Sequence, residues 1–341
     1  MILSRQIEDA LREEIKSGKF RPHEKFFSEK RLSSKFLCND QTARKAVNRL
    51  VKEGLLYKKP YSGTYVAPLV KTKSILLVMP GEASLVRYCS TDEMLELPYR
   101  FLEITEKEYL KAVADISIIF PDVVGVMFYL DPTYVRASFP ILRERNIAFC
   151  FLGSSIHETL FKDVPAVFYS EKEIVNLAMN RLWSAGCRRI GCAGSRGWPA
   201  TDERWNQYEI WLKEREQPVR KACQLEWPEG ENGEVDFALI CRNLAEMRSQ
   251  VDGFFCITDK AAAYVVQAAA ANGIRVPGEL KIIGVDNASY CQLFQPELSS
   301  VDLKIKEGCR MAVQLLISQI ENRKSTVHQF SPLELKERKS H

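Results

Sequence analysis

Long apolar runs are missing from this 341-residue chain. Stretches such as SILLVMP and VVGVMFYL fall short of the roughly 20 apolar residues that a membrane helix needs, so no membrane partner is expected. The first ten residues hold no apolar core of the secretory kind, and the mature chain is expected to begin at Met1 and to act in the cytoplasm. Histidine is scarce: His23, His157, His328 and His341 have no Cys or Asp at metal-ligand or triad spacing. The ten cysteines are scattered singly, with no Cys-x-x-Cys, and Cys187 and Cys192 lack paired histidines. They read as buried thiols in a reducing compartment. Nor is there a phosphate loop. The run Gly191-Cys-Ala-Gly-Ser-Arg-Gly197 is neither Gly-x-Gly-x-x-Gly nor Gly-Lys-Ser/Thr, and a strand-to-helix turn that needs compact residues explains it better. No enzymatic activity, metal or cofactor is expected.

What the chain does have is an uneven charge. Residues 1–70 hold 15 Lys and Arg against 8 Asp and Glu, a net of +7, while the remainder holds 33 against 36, a net of −3. A basic head on a slightly acidic body points to a polyanion-binding module joined to something with another task. The length allows more than one domain.

In the head, SRQIEDALREEIKS has helical spacing, with Ile7, Ala10, Leu11 and Ile15 on one face and Gly18 as a stop. Ser28 begins a second helix, with Glu29 and Lys30 in its first turn and Leu32 and Phe36 facing inward. After a tight connection, Asn39 or Asp40 suits the cap of a third helix. There Ala43, Ala46, Val47 and Leu50 form the core stripe, while Gln41, Arg44, Lys45, Asn48 and Lys52 lie on or near the other side. Gly54 ends it. Leu55 to Lys59 reads as a strand, Pro60 to Gly63 as a turn and Thr64 to Ala67 as the return strand. Three helices and a hairpin are the plan of a winged helix-turn-helix, and a basic helix fits the major groove of double-stranded DNA. Arg and Lys neutralise phosphates, and Gln, Asn and Arg read base edges.

The segment FRPHEKFFSEKRLSSKFLCNDQTARKAVNRLVKEGLLYKKPYSGTYVA resembles the gluconate-repressor (GntR) winged-helix family. Ser28 and Glu29 match its Ser-Glu-Arg helix start, with Lys30 at the arginine. Thr42 and Arg44 match its recognition helix, Glu53, Gly54 and Leu55 its exit, and Gly63 and Thr64 its wing. His23 replaces the turn glycine, Asn39 and Asp40 replace Ser-Arg, and Tyr61 replaces the first wing glycine. The residues expected on DNA are Lys30, Gln41, Thr42, Arg44, Lys45, Asn48, Lys58, Lys59, Ser62, Gly63 and Thr64.

Beyond a linker at 69–74, apolar strands alternate with helical patterns, as in a doubly wound parallel α/β sheet. Strands are expected at Ile75–Met79, Val123–Tyr129, Ile147–Leu152, Ala166–Tyr169, Arg189–Ala193, Gly253–Ile257 and Lys281–Val285. About 270 residues suggest two lobes, with a ligand between them beyond the carboxyl ends of the strands. Lobe one is expected at about 75–165 plus 300–325, and lobe two at about 166–290 plus 326–341.

The body resembles the sensor domain of the lactose-repressor (LacI) family, which shares its fold with periplasmic sugar-binding proteins. The match runs over LWSAGCRRIGCAG, ERWNQYEIWL, VDGFFCITDKAAAYVVQAAAANGIRVPGELKIIGVDN and PELSSVDLKIKEGCRMAVQLL, with SPLELKERKS like the family's closing strand. A winged helix joined to such a sensor is similar to the arabinose-repressor architecture. The resemblance implies effector contacts at Arg204, a guanidinium donating to sugar hydroxyls, and at Asp286, a carboxylate accepting from them. It also implies Tyr169 as an aromatic wall, Thr258 at the usual asparagine, and Tyr129 on the cleft side. Trp227 either stacks on a sugar or is simply packed, and Asp259 either caps the next helix or reaches the ligand. Gly153 stands where relatives often have an aspartate. After Met79, GEASLVRYCSTDEMLELPYRFLEITEKEYLKAV is compressed relative to the family. A homodimeric regulator controlled by a small sugar-like effector is expected, most simply a repressor. The alternatives are a body that serves as a ligand-free dimerisation platform, or an enzyme with a DNA-binding head.

Overall fold

A computed structural model describes residues 4–17, 19–59, 62–67, 73–79, 97–129, 135–159, 162–230, 234–322 and 327–341. The wing tip at Pro60 and Tyr61, positions 69–72 of the expected linker, and residues 80–96 lie outside them. The chain divides into a head unit and a body unit.

The head holds α1 (Ser4–Lys16), α2 (Glu29–Phe36), α3 (Asp40–Lys52), β1 (Leu56–Lys59) and β2 (Gly63–Val66). The expected stripe is its core. Ala43, Ala46, Val47 and Leu50 are fully buried, packed with Ile7, Leu11, Phe26 and Leu32. The caps explain where the helices start. The Ser28 hydroxyl accepts from the Arg31 N–H at 3.2 Å, and the Asn39 side chain accepts from the Thr42 N–H at 2.8 Å. Asn39 is therefore the cap, and Asp40 is the first helical residue. Leu37 turns the chain between α2 and α3 in a left-handed conformation. The strands pair antiparallel from Leu56 opposite Val66 to Lys59 opposite Gly63. His23, at the family's turn glycine, holds φ at 66°, and its Nδ1 hydrogen-bonds the Tyr57 hydroxyl at 2.9 Å. The residue keeps the left-handed backbone that glycine takes without strain, and adds a tie to the wing.

The body begins with β3 (Lys73–Met79), β4 (Tyr99–Thr105), α4 (Glu106–Ala112), α5 (Ile116–Ile119), β5 (Val123–Tyr129), α6 (Phe139–Glu144), β6 (Ala148–Ser154) and β7 (Ala166–Tyr169). It continues through α7 (Glu171–Ser184), β8 (Ile190–Gly194), α8 (Pro199–Glu214), β9 (Gln224–Glu226), α9 (Phe237–Met247), β10 (Gly253–Cys256) and α10 (Asp259–Ala271). It closes with β11 (Lys281–Val285), β12 (Ser299–Asp302), α11 (Ile305–Ile320), β13 (His328–Phe330) and β14 (Glu334–Lys336). Among the described residues these strands make two six-stranded sheets, ordered β13-β7-β6-β5-β3-β4 and β14-β12-β11-β10-β8-β9. In the second, β14 runs antiparallel to β12, and the other pairs are parallel. The all-apolar strands are buried on both faces, as parallel sheets covered by helices require.

The sheets redraw the lobe boundaries. Strand β7, expected to open lobe two, pairs with β6 in the first sheet, and β12, expected in lobe one, pairs with β11 in the second. The tail splits, with β13 joining the first sheet and β14 the second. Apolar runs identify strands, but the partner of a parallel strand lies a crossover away in sequence, so sheet membership is not written locally.

Leu50→Ala in α3 leaves a cavity in the head core. It is expected to cost the head about 2–5 kcal/mol. Amide hydrogen exchange checks this: protection falls in α1 and α3 and stays unchanged in β5 and β6.

Candidate nucleic-acid interface and ligand site

The outer face of α3 carries the expected polar residues. Gln41, Arg44, Lys45 and Asn48 are exposed, and Thr42 is half-buried. Lys30 lies exposed on α2, and Lys58, Lys59 and Ser62 are exposed on the wing. Several are held. Arg44 Nε donates to Glu29 Oε2 at 2.7 Å, and Lys58 Nζ donates to Asn48 Oδ1 at 2.9 Å. Lys59 Nζ sits 4.9 Å from the Tyr65 ring centroid, and Tyr57 stacks on Tyr65. The Ser62 hydroxyl shares a 2.5 Å hydrogen bond with that of Tyr65. Gly63, at φ 119°, pairs with Lys59, and Thr64 accepts the Phe26 N–H. Lys25, which pattern reasoning passed over, bridges to Tyr65 and lies against Gly63, bringing a further cation to the wing. Contacts across the hairpin identify it, and no local signal does.

In the body, the carboxyl ends of β8, β10 and β11 gather the chemistry. Arg204, in the first half of α8, is 6% exposed. Its Nε donates to Glu171 Oε2 at 2.8 Å and its Nη1 to the Ile257 carbonyl at 2.6 Å. Asp286 Oδ1 lies 3.8 Å from the same Nη1. Burial works against the Arg204 charge, but Glu171, Asp286 and Asp259 outweigh it and raise its pKa above the ordinary value. Asp286 follows β11 with φ at 108°, and Asn287 follows at 50°, two consecutive non-glycine residues in left-handed territory. The Asp286 side chain keeps 38% of its surface. Burial pushes its carboxyl up to about 7, against the pull of Arg204 and with the push of Asp259 and Glu171.

Arg204 and Asp286 are thus brought into direct range of each other. Thr258 caps α10, accepting from the Ala261 N–H at 3.1 Å, next to the carbonyl that Arg204 holds. Asp259 is not that cap. It is fully buried, and its Oδ2 accepts the Ala288 N–H at 2.7 Å and the Cys291 thiol at 3.0 Å. Trp227 is buried, with its ring edge-on to Tyr264 at 6.1 Å, so its packing is accounted for within the lobe. Tyr169 is buried on β7, its hydroxyl against Gly308 of α11, and Tyr129 ends β5 half-buried. The glycine run after β8 is the compact strand-to-helix turn expected: Gly194 sits at φ 146°, where a Cβ would run into Ile257. At that turn's end Trp198 is 68% exposed, an aromatic that the pattern reading did not single out. Glu171 was missed too, since a glutamate in a helix's first turn is an everyday sight.

Among the described residues no group of His, Cys, Asp and Glu is placed to hold a metal. No described helix is long and apolar enough to cross a membrane.

A family model described as bacterial regulatory proteins, gntR family, matches residues 3–66, and one described as a periplasmic binding protein-like domain matches residues 179–341. The chain therefore joins a GntR-type helix-turn-helix to a periplasmic-binding-protein-like domain. The ribose operon repressor of Halalkalibacterium halodurans is 23% identical over 244 residues, covering 71% of this chain and 65% of that one. The NTD biosynthesis operon regulator of Bacillus subtilis is 25% identical, over 54% of each chain. The match thus spans under two thirds of either relative. The arabinose metabolism transcriptional repressor of Geobacillus stearothermophilus is 24% identical, with 91% and 88% covered. Among solved structures, a transcriptional regulator CelR-cellobiose complex aligns with a TM-score of 0.64 at 18% identity, over 89% of this chain and 90% of that one. A LacI-family regulatory protein from Chloroflexus aggregans aligns at 0.65 and 20%, over 78% and 98%. These relatives are named as regulators, not enzymes.

The Asp286 carboxyl titrates from 3.8 when unperturbed and about 7 in the fold. Between those values the folded state holds the proton more tightly. Stability from this group is therefore fullest at low pH, falls as pH rises toward the upper value and is level beyond it. Asp286→Asn is expected to erase that slope. Thermal melts across pH should show the variant gaining on the native protein from about pH 4 to about pH 7, with the difference between them level above that.

Proposed function

We propose that this chain is a sequence-specific DNA-binding transcriptional regulator, most simply a repressor, acting in the cytoplasm as a homodimer. Its operator affinity is set by a small sugar-like effector held between the two lobes of the body. The observation that carries the reading is the pairing, in one chain, of an exposed cationic helix beside a basic wing with a buried Arg204 reaching an exposed-edged Asp286. A guanidinium and a carboxylate side by side offer donors and acceptors to adjacent hydroxyls. That favours an effector site over a ligand-free platform, as do relatives named for ribose and arabinose.

On this reading α3 enters the major groove, where Gln41, Thr42, Arg44, Lys45 and Asn48 meet base edges and phosphates. Lys30 and the wing residues Lys58, Lys59, Ser62, Gly63 and Thr64 flank it. Asp40, exposed in the first turn of α3, places a negative charge where the family has a cation, and sets this operator apart from its relatives'. Dimerisation is supported by exposed apolar side chains on the first lobe, Leu102, Leu110, Ile118 and Ile119, and by Leu293 on the second. Two heads about 34 Å apart would read a two-fold site. Closure of the lobes on effector would alter that spacing, and a coupling of about 1–3 kcal/mol suffices for a switch.

Two measurements test this. A thermal-shift screen over sugars and sugar acids should find a stabilising ligand, and that ligand should change DNA affinity at fixed salt. A hit that never alters DNA binding refutes the coupling. Arg44→Ala should weaken binding to a selected operator by about tenfold or more while leaving the ligand-induced thermal shift intact. Equal loss of both would count against separate sites.

A further inference from the structure

On the cationic face of the head, the Glu29 carboxylate of α2 touches cations from two other elements. It opens α2, directly after the Ser28 cap. Its Oε2 accepts from Arg44 Nε of α3 at 2.7 Å, and its Oε1 lies 3.7 Å from Lys58 Nζ of β1. Lys58 in turn donates to Asn48 of α3 at 2.9 Å. One carboxylate therefore ties two residues of the reading helix and one of the wing into a single chain of contacts.

The geometry points to Glu29 as a positioning residue for sequence recognition, a role that rests on the DNA-binding reading above. An arginine held through Nε has both terminal nitrogens left to donate, and that fork is the partner of guanine O6 and N7. Arg44 keeps 61% of its side-chain surface, so the fork is available. The bond to Glu29 aims it before DNA arrives. The carboxylate also selects against arbitrary DNA. Sitting between Arg44 and Lys58, it offsets their attraction for any phosphate, whereas a guanine edge carries no net charge to repel. Glu29 thus lowers sequence-independent affinity and raises discrimination. A plain surface ion pair at a helix start would do neither, since such pairs contribute little and only to stability.

The test uses the full chain and a randomised duplex pool. The native protein selects a motif, and affinities for that duplex and a scrambled one are then measured at several salt concentrations. In Glu29→Gln the ratio of selected to scrambled affinity should fall about tenfold. Scrambled binding should tighten, and its salt slope should steepen by about one counterion. Glu29→Asp keeps a charge at the helix start but cannot span Arg44 and Lys58. It should lose most of the discrimination while keeping the native salt slope. Adding Glu29→Gln to Arg44→Ala should cost little further discrimination, because the two act through one contact. Unchanged discrimination in both single variants overturns the proposal, as does full additivity in the double variant. If the native protein selects no motif at all, the DNA-binding reading fails and this one with it.

Discussion

A guanidinium cannot be left unpaired in a protein interior, and Arg204 turns that constraint into architecture. Its side chain is satisfied by Glu171 at the start of α7 and by the carbonyl of Ile257 after β10, with Asp286 after β11 at the edge of reach. Two helices and two strand ends are therefore referred to one charged group. Glu171 also donates its backbone N–H to Ser155, in the turn that follows β6 of the other sheet. The mouth of the proposed effector site is thus built outward from a buried ion pair, with the Asp286 side chain left partly exposed.

The same device occurs in the head under opposite conditions. Arg44 also donates through Nε to a glutamate, at 2.7 Å against 2.8 Å for Arg204. In the body the pair is buried, and breaking it would strand a charge at large cost. In the head the pair is solvated and contributes little to stability. What it supplies there is direction. Burial decides which of the two a guanidinium–carboxylate contact provides, although the bond is the same.

Much of this molecule is legible in its sequence. The four-residue stripe of α3, the start of α2 at Ser28, a cap at Asn39 or Asp40, and the apolar strands all express short-range patterns that a chain writes locally. Arg204 and Asp286 come from the resemblance to the LacI-family sensor domain, not from spacing or periodicity, and the fold places them within 3.8 Å of each other. The rest depends on contacts that sequence does not order. Strand β7 reads the same whether it pairs with β6 or opens a new sheet. Asp259 has the look of a helix cap, yet Thr258 beside it takes that place and frees the acid to bind Ala288 and Cys291. Trp227 has an aromatic's promise of stacking, and Tyr264 meets it instead. Glu29 and Lys25 are ordinary in composition and acquire meaning only beside Arg44 and Gly63.

The way the last strands are shared has a consequence for how the protein is made. Strand β13 completes the first sheet and β14 the second, and the residues that follow are anchored too, with Ser340 bonded to Ile282 and Ser299. On the ribosome, domains ordinarily fold as units as they emerge. The head can do so, because its core is drawn from residues 7 to 66. Neither sheet of the body can be finished until residues beyond 327 have left the exit tunnel. For much of its synthesis the nascent chain therefore carries a folded head ahead of a body that is still incomplete.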